Sequence, residues 1–274
     1  AKVHLLAQSA LSNFEWTVKE LGVEYLPDAI GQEGGHSVPR YVTTKTGSGS
    51  GIVQKELDKC KELGIPVRLR TYVQNIIRTE KGVEGVRVRE GYRFPNEGSG
   101  KEKTIRATKG VVLCYGGFSA DVKFRMFQDP KLDGQLDTTN QPGATGEVLV
   151  AMQDIGALAI GLDYIQCIPG TAPGYKSKGN LIQVIEYSIF VNKEGKRFVA
   201  EDSRRDVIRD AVLSTPERYA YTVCDNENFM SYDEVNRNAI MKGIEINEAW
   251  TAPTIRELAQ KMGVDPDGLE KTIR

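Results

Sequence analysis

Three observations predict a mixed α/β chain that carries an antiparallel ribbon and a second, α+β part. Residues 67–107 hold three runs of alternating apolar and polar side chains separated by polar turns, the pattern of strands with one covered face. Residues 109–114 (KGVVLC) form a short continuous apolar run, the mark of a buried strand, and stop at Tyr115-Gly116-Gly117. From residue 188 a hairpin pattern gives way mainly to amphipathic helices, so strands and helices are segregated there rather than alternating regularly.

Taken in order, residues 7–22 place Leu11, Phe14, Val18 and Leu21 at helical spacing, and Gly22 stops the helix. Residues 36–51 (HSVPRYVTTKTGSGSG) are polar and glycine-rich and are expected to lack regular structure. A helix over 50–64 ends at Ile65-Pro66, and strands are expected at 67–79, 83–89 and 104–107, with 94–103 an exposed loop. Ser119-Ala120-Asp121 opens a helix. Thr145 stands where it can cap another that runs to Ile155, with Glu147 in the first turn, where a carboxylate meets the positive end of the macrodipole. Residues 157–165 return as a strand. The hairpin over 188–199 turns at Lys193-Glu194-Gly195, and a helix at 203–213, a strand at 219–224 and helices near 254–262 and 265–274 complete the chain.

Composition removes several function classes. Basic and acidic residues, 36 against 37, leave a formal charge of −1, so no global field draws nucleic acid or an anionic membrane. His4 and His36 are the two histidines, too few to support a histidine zinc site or a Ser-His-Asp triad, and no metal site is expected. Cys60, Cys114, Cys167 and Cys224 lie far apart without a CxxC and are expected as reduced, buried thiols. No apolar run reaches the ~18 residues of a membrane helix. Ala1 stands where a Met would, and residues 268–274 stop inside a helical pattern without a cap, so both ends read as cut.

Three stretches carry possible chemistry. Thr46-Gly47-Ser48-Gly49-Ser50-Gly51 runs into a helix and reads either as a phosphate cradle or as a flexible connection, since no strand precedes it. Gly116-Gly117 after a buried strand, and Asn140 to Glu147 (NQPGATGE) opening a helix, are either tight turns or two loops that let an extended cofactor approach a sheet edge. Arg204 and Arg205 stand at a helix entrance, where cations oppose the macrodipole; they either pair with Glu201, Asp202 and Asp206 or serve a substrate.

VVLCYGGFSAD, TTNQPGATGEVLVAMQDIGA, DYIQCIP and IFVNKEGKRFVAEDSRRD resemble, in that order and at compatible spacing, the middle of the fumarate reductase flavoprotein family, which includes the soluble flavocytochrome c enzymes. The resemblance covers nearly the whole chain. It implies a Rossmann-like FAD-binding domain, partly present as 1–162 without the family's N-terminal GxGxxG unit, and a partial capping domain, 163–274. It also implies hydride transfer from flavin N5 to an activated C=C bond. Arg205 then falls on the acid and Gln166 on the glutamine of the YIQ motif. The implied cofactor contacts are Val73, Cys114, Tyr115, Gly116, Gly117, Asn140, Gln141, Thr145, Gly146 and Glu147. The implied partners are a small unsaturated acceptor and an electron-donor protein or domain. The chain by itself is expected to hold no stable stoichiometric FAD.

Departures from the family pattern narrow the acceptor. Ile168 stands where fumarate reductases commonly have a histidine, and counting back from GKRF places Leu181 and Val184 where the proton-relay glutamate and arginine fall. These replacements imply a larger or less charged acceptor than fumarate, an enoate or an enone. A steroid-type desaturase and a non-catalytic binding module are the competing readings.

Overall fold

The computed structural model describes residues 2–32, 36–170, 175–176, 179–182 and 187–274. The chain divides into two compact units, Ala1–Val112 and Leu113–Arg274.

The first unit runs α1 (Lys2–Lys19), β1 (Tyr25–Gly31), β2 (Tyr41–Thr44), α2 (Ser50–Glu62), β3 (Thr71–Thr79), β4 (Gly82–Glu90) and β5 (Lys101–Arg106). β3, β4 and β5 form the expected antiparallel ribbon, with Ile76 opposite Val86 and Val88 opposite Lys103. Alternation puts Ile76 and Val88 inside, at 6% and 1% exposure. β2 corrects the expectation of an irregular 36–51 segment. Its Tyr-Val-Thr-Thr sequence is rich in strand formers, and β1 offers an antiparallel ladder that pairs Gly31 with Tyr41 and Tyr25 with Thr44.

The second unit runs α3 (Val122–Gln128), α4 (Glu147–Asp154), β6 (Ser188–Val191), α5 (Arg205–Leu213), β7 (Tyr221–Cys224), α6 (Asn226–Ser231), α7 (Glu234–Glu245), α8 (Ile255–Met262) and α9 (Pro266–Ile273). β6 and β7 pair antiparallel, Val191 opposite Tyr221. Val191 and Val223 from this pair meet Ala259 and Met262 of α8, Val264, and Leu269 of α9 in one buried cluster. α8 is closed at both ends: the Thr254 hydroxyl accepts from Glu257 N, and Gly263 takes the left-handed conformation at φ 69°.

Two strand expectations fail. Residues 109–114 and 157–165 are assigned to no ladder, although exposure alternates along them: Val111 and Leu113 are half-buried while Val112 and Cys114 are exposed. An apolar run becomes a strand only when at least one neighbour pairs with it, and among the described residues no strand forms a ladder with either segment. The 188–199 hairpin is also partly corrected. Its returning limb contributes a single bridge, Val191 to Arg197, and the ladder partner of β6 is β7. The four cysteines are free as expected but not buried: Cys114 is exposed and the other three are half-buried.

Among the described residues no helix is long and apolar enough to cross a membrane.

Candidate functional site

The Gly116 loop and the Asn140 loop are joined to one another. Asn140 Nδ2 and Thr138 Oγ1 both donate to Ser119 Oγ, at 2.7 and 3.0 Å, and the Ala120 N–H donates to the Ala144 carbonyl at 3.0 Å. Asp121 fixes the two helices that follow. Its Oδ1 accepts from Phe124 N at 2.9 Å and caps α3, while its Oδ2 accepts from Gly146 N at 3.2 Å where α4 begins. Thr145 is therefore not the cap of α4. Gly146 occupies that position, and the Thr145 hydroxyl donates instead to Glu147 Oε2 at 2.6 Å. Gly146 is small for a packing reason: a Cβ there would stand 2.7 Å from the Phe124 ring. Gly116 differs, with φ +81° and no atom within 4 Å of a built Cβ; Gly117 and Gly143 likewise face open space. Cys114, Gln141 and Glu147 are exposed and Tyr115 is half-buried.

Arg125 of α3 holds this region from inside. It is 5% exposed and donates to the carbonyls of Ser119 and Leu132, both at 2.8 Å, and of Asp133 and Leu136, both at 2.5 Å. Val73 lies half-buried in β3 of the first unit. In the same unit the glycine-rich Thr46–Gly51 stretch is a stitched turn. Thr44 Oγ1 donates to the Ser48 carbonyl at 2.8 Å, and a Cβ at Gly51 would meet Thr46 Oγ1 at 2.7 Å. Gly51 serves that packing, whereas Gly47 takes φ +67° and Gly49 faces open space.

Elsewhere in the second unit, Glu201 ties the segment before α5 to β6. Its carboxylate, 6% exposed, accepts from Phe190 N at 2.8 Å and from Arg197 Nε and Nη2 at 3.0 and 2.5 Å. Arg204 is the N-cap residue of α5, and its exposed guanidinium takes Asp206 bidentately at 2.7 and 3.1 Å. That hydrogen bond holds the Asp206 carboxyl below its ordinary range. The ion-pair reading is thus realised by Arg204. Arg205, half-buried, is the first residue of the helix.

One turn later comes Arg209, on the face that Arg205 shares because residues four apart stack along a helix. Arg209 is 12% exposed and pairs with Asp210 at 2.8 Å and Asp129 at 3.5 Å. Its Nη1 also donates to the Ile165 carbonyl at 3.2 Å. The face carrying Arg205 is therefore turned toward the 165–167 segment. Along that segment Ile165 and Cys167 are half-buried, and Gln166 and Ile168 are exposed on the alternate side. Burial pushes the Cys167 thiol above its ordinary value.

Leu181 is held by its backbone. Its carbonyl accepts from the Tyr232 hydroxyl at 2.7 Å and from Ser188 Oγ at 2.6 Å, while Asn228 Nδ2 reaches both hydroxyls, at 3.0 and 3.1 Å. Asn236 exchanges two hydrogen bonds with the backbone of Asn180, at 2.8 and 2.7 Å. Burial raises the Tyr232 phenol to about 12, so it stays protonated and donates. Val184 lies outside the described residues.

Arg125, Arg209, Asn228 and Tyr232 were not singled out by sequence reasoning. Their side chains act on backbone carbonyls remote in sequence, and no local spacing announces such contacts. An open pocket of about 260 Å³, lined by Lys131, Asp133, Asp210 and Arg218 among others, contains none of the candidate residues. No cluster among the described residues could hold a metal ion.

The FAD binding domain family matches residues 3–274. The acrylate reductase flavoprotein subunit of Shewanella woodyi is 34% identical over 276 residues, covering 98% of this chain and 54% of that protein. The urocanate reductase of Eggerthella lenta is 31% identical over 277 residues, covering 99% of this chain and 44% of its own length. The open conformation of a flavocytochrome c3 fumarate reductase aligns with a TM-score of 0.70 at 25% identity, over 97% of this chain and 45% of that one. The chain spans about half the length of the curated relatives it matches. With nearly every residue inside the family match and the fold of a flavocytochrome c3, the chain belongs to the FAD-binding domain family, in its fumarate-reductase-like branch of flavoproteins.

Proposed function

We propose that the intact protein reduces an activated C=C bond of an enoate or enone other than fumarate, with residues 1–162 on the flavin side and 163–274 in a cap. The carrying observation is the bond from Arg209 to the Ile165 carbonyl, which turns the Arg205 face of α5 toward the Gln166 segment. The flanking loops fit FAD: Gly116, Gly117 and Gly143 leave space where a side chain would intrude, and hydrogen bonds between the two loops fix that space. Tyr115, Asn140, Gln141, Thr145, Gly146 and Glu147 would line it together with Cys114. When bound, FAD supplies the hydride.

Arg205 acts on the acceptor. Its guanidinium pairs with a carboxylate or carbonyl oxygen and delivers a proton to the carbon adjacent to the one that receives hydride. A guanidinium is a weak acid, and a carbon bearing the electron pair left by hydride addition is basic enough to take its proton. The Gln166 amide donates to the acceptor's oxygen and orients it. Ile168, Leu181 and, in the sequence, Val184 are apolar where the resemblance places polar groups, and a second carboxylate would lie unpaired beside such side chains at high cost. The relatives include proteins named for acrylate and urocanate as well as proteins named for fumarate.

The test begins with the visible spectrum of the full-length protein. The photoreduced flavin is then offered acrylate, urocanate, fumarate and a cyclic enone without oxygen. Reoxidation by a non-fumarate acceptor at least ~10-fold faster than by fumarate is expected, as loss of one buried charge partner implies. Fumarate as the best acceptor, or no reoxidation by any of the four, sinks the proposal.

A further inference from the structure

We infer that Arg209 is a positioning residue for the acceptor site, tying the segment that carries Gln166 to α5, one turn from Arg205, by gripping the Ile165 carbonyl; the inference rests on the function proposed above. Arg209 joins three pieces of chain. Its fork binds Asp210 on its own helix, Asp129 at the end of α3, and the backbone of the segment that presents Gln166. Asp210 in turn approaches Lys131 at 3.5 Å, extending the network across the 129–133 loop.

The grip matters because, among the described residues, no ladder sets the position of 157–168. The Ile165 N–H is used locally, on the Asp163 carbonyl at 2.8 Å, so the carbonyl is the group left to tie the segment to α5. Gln166 follows that carbonyl directly. A shift of the peptide moves its side chain by a comparable distance.

The chemistry of the fork suits this task better than it suits acceptor binding. A guanidinium at 12% exposure must have its charge answered, and two carboxylates do so. It is thus committed to the scaffold, one turn from Arg205. Lysine, a single ammonium on a flexible stem, cannot reproduce a planar fork that serves two carboxylates and a carbonyl together.

The experiment uses the flavin-loaded full-length protein with Arg209→Met, Arg209→Lys and, as control, Arg218→Met. Arg218 is an ion-paired arginine of the same unit, bonded to Asp133 at 2.7 Å and to the Lys131 carbonyl at 2.8 Å. Amide hydrogen exchange over residues 163–168 is expected to quicken in both Arg209 variants and to stay unchanged in Arg218→Met. Single-turnover reoxidation at saturating acceptor should fall about 100-fold in Arg209→Met, the cost of an ångström-scale misplacement, and less in Arg209→Lys. The control should lose stability and keep its rate. With Gln166→Ala already present, Arg209→Met should cost no more than about threefold, because the two residues act as one unit. Full additivity in that double variant, or unchanged exchange at 163–168, overturns the inference. Should Arg209→Met not fold, Arg209→Lys carries both readouts. Failure of every acceptor to reoxidise the flavin contradicts the proposed function, whereas the exchange measurement still reads the grip of Arg209 directly.

Discussion

Replacing Glu201 by Gln isolates the charge that ties the chain before α5 to β6 and Arg197. The carboxylate is 6% exposed, and its three donors are Phe190 N at 2.8 Å and two guanidinium nitrogens of Arg197 at 3.0 and 2.5 Å. Hydrogen bonds to charged groups contribute about 1.5–3 kcal/mol each when sheltered. Arg197 is 51% exposed, so solvent screening reduces its share to about 1 kcal/mol. The glutamine keeps its size and one carbonyl for Phe190 N but turns an NH₂ group toward the guanidinium. Together these terms predict a loss of about 2 kcal/mol, and Glu201→Ala, which also strands a buried N–H and opens a cavity, about 3 kcal/mol.

The pH dependence follows from the same contacts. Burial opposes ionisation of Glu201, but the bonds from Arg197 and Phe190 N outweigh it and hold the folded carboxyl below its ordinary 4.5. A depressed folded value means that the stabilisation is complete above about 4.5 and is lost as pH falls through the folded value. Urea unfolding of parent and Glu201→Gln at pH 7 should differ by about 2 kcal/mol, and the gap should close as the pH drops below 4. A gap under about 0.5 kcal/mol at pH 7, or one that persists unchanged in acid, refutes the reasoning.

Other consequences are equally open to measurement. Leu269→Ala in α9, at a position with 0% exposure in the main cluster, should cost about 2–5 kcal/mol in urea unfolding. Gly116→Val should cost about 1–3 kcal/mol from backbone strain at φ +81° alone, since its Cβ meets no atom of the chain within 4 Å. In the full-length protein the same change should strip flavin, scored as flavin per polypeptide after gel filtration, while parent-like occupancy would remove Gly116 from the cofactor cradle. Tyr232→Phe should cost about 1–2 kcal/mol by removing the donor to the Leu181 carbonyl at 2.7 Å, with calorimetry as the check.

What the sequence revealed was what local rules encode. α2, α8, α9 and the ribbon of β3, β4 and β5 announce themselves through caps, glycine stops and alternation, each decided within a few residues. α6 and α7 carried the same kind of signal and were missed. Asp225 accepts from Asn228 N and Asp233 from Asn236 N, both at 2.8 Å, so each Asp three residues before an Asn was a readable cap. Residues 109–114 could not be settled from pattern, because an apolar run does not say whether neighbouring strands exist to pair with it. The site was legible as motifs and illegible as support. Gly116, Gln166 and Arg205 stand in recognisable strings, whereas Arg125 and Arg209 act on carbonyls 6 to 44 residues away and leave no local trace.

In the function proposed above, α5 presents two neighbouring arginines with different work: Arg204 closes on Asp206, and the proposal assigns Arg205 to the acceptor. Adjacent helical positions differ by roughly 100° about the axis, so both cannot address one ligand equally. Single-turnover reoxidation of photoreduced flavin by the best enoate, measured for Arg204→Ala and Arg205→Lys in the full-length protein, tests this most directly. Arg204→Ala should stay within about twofold of the parent, as an exposed ion pair allows. Arg205→Lys should fall about 100-fold or more, with flavin content unchanged, because the planar fork that orients the acceptor and passes the proton is lost. Equal and mild losses at the two positions would contradict the account.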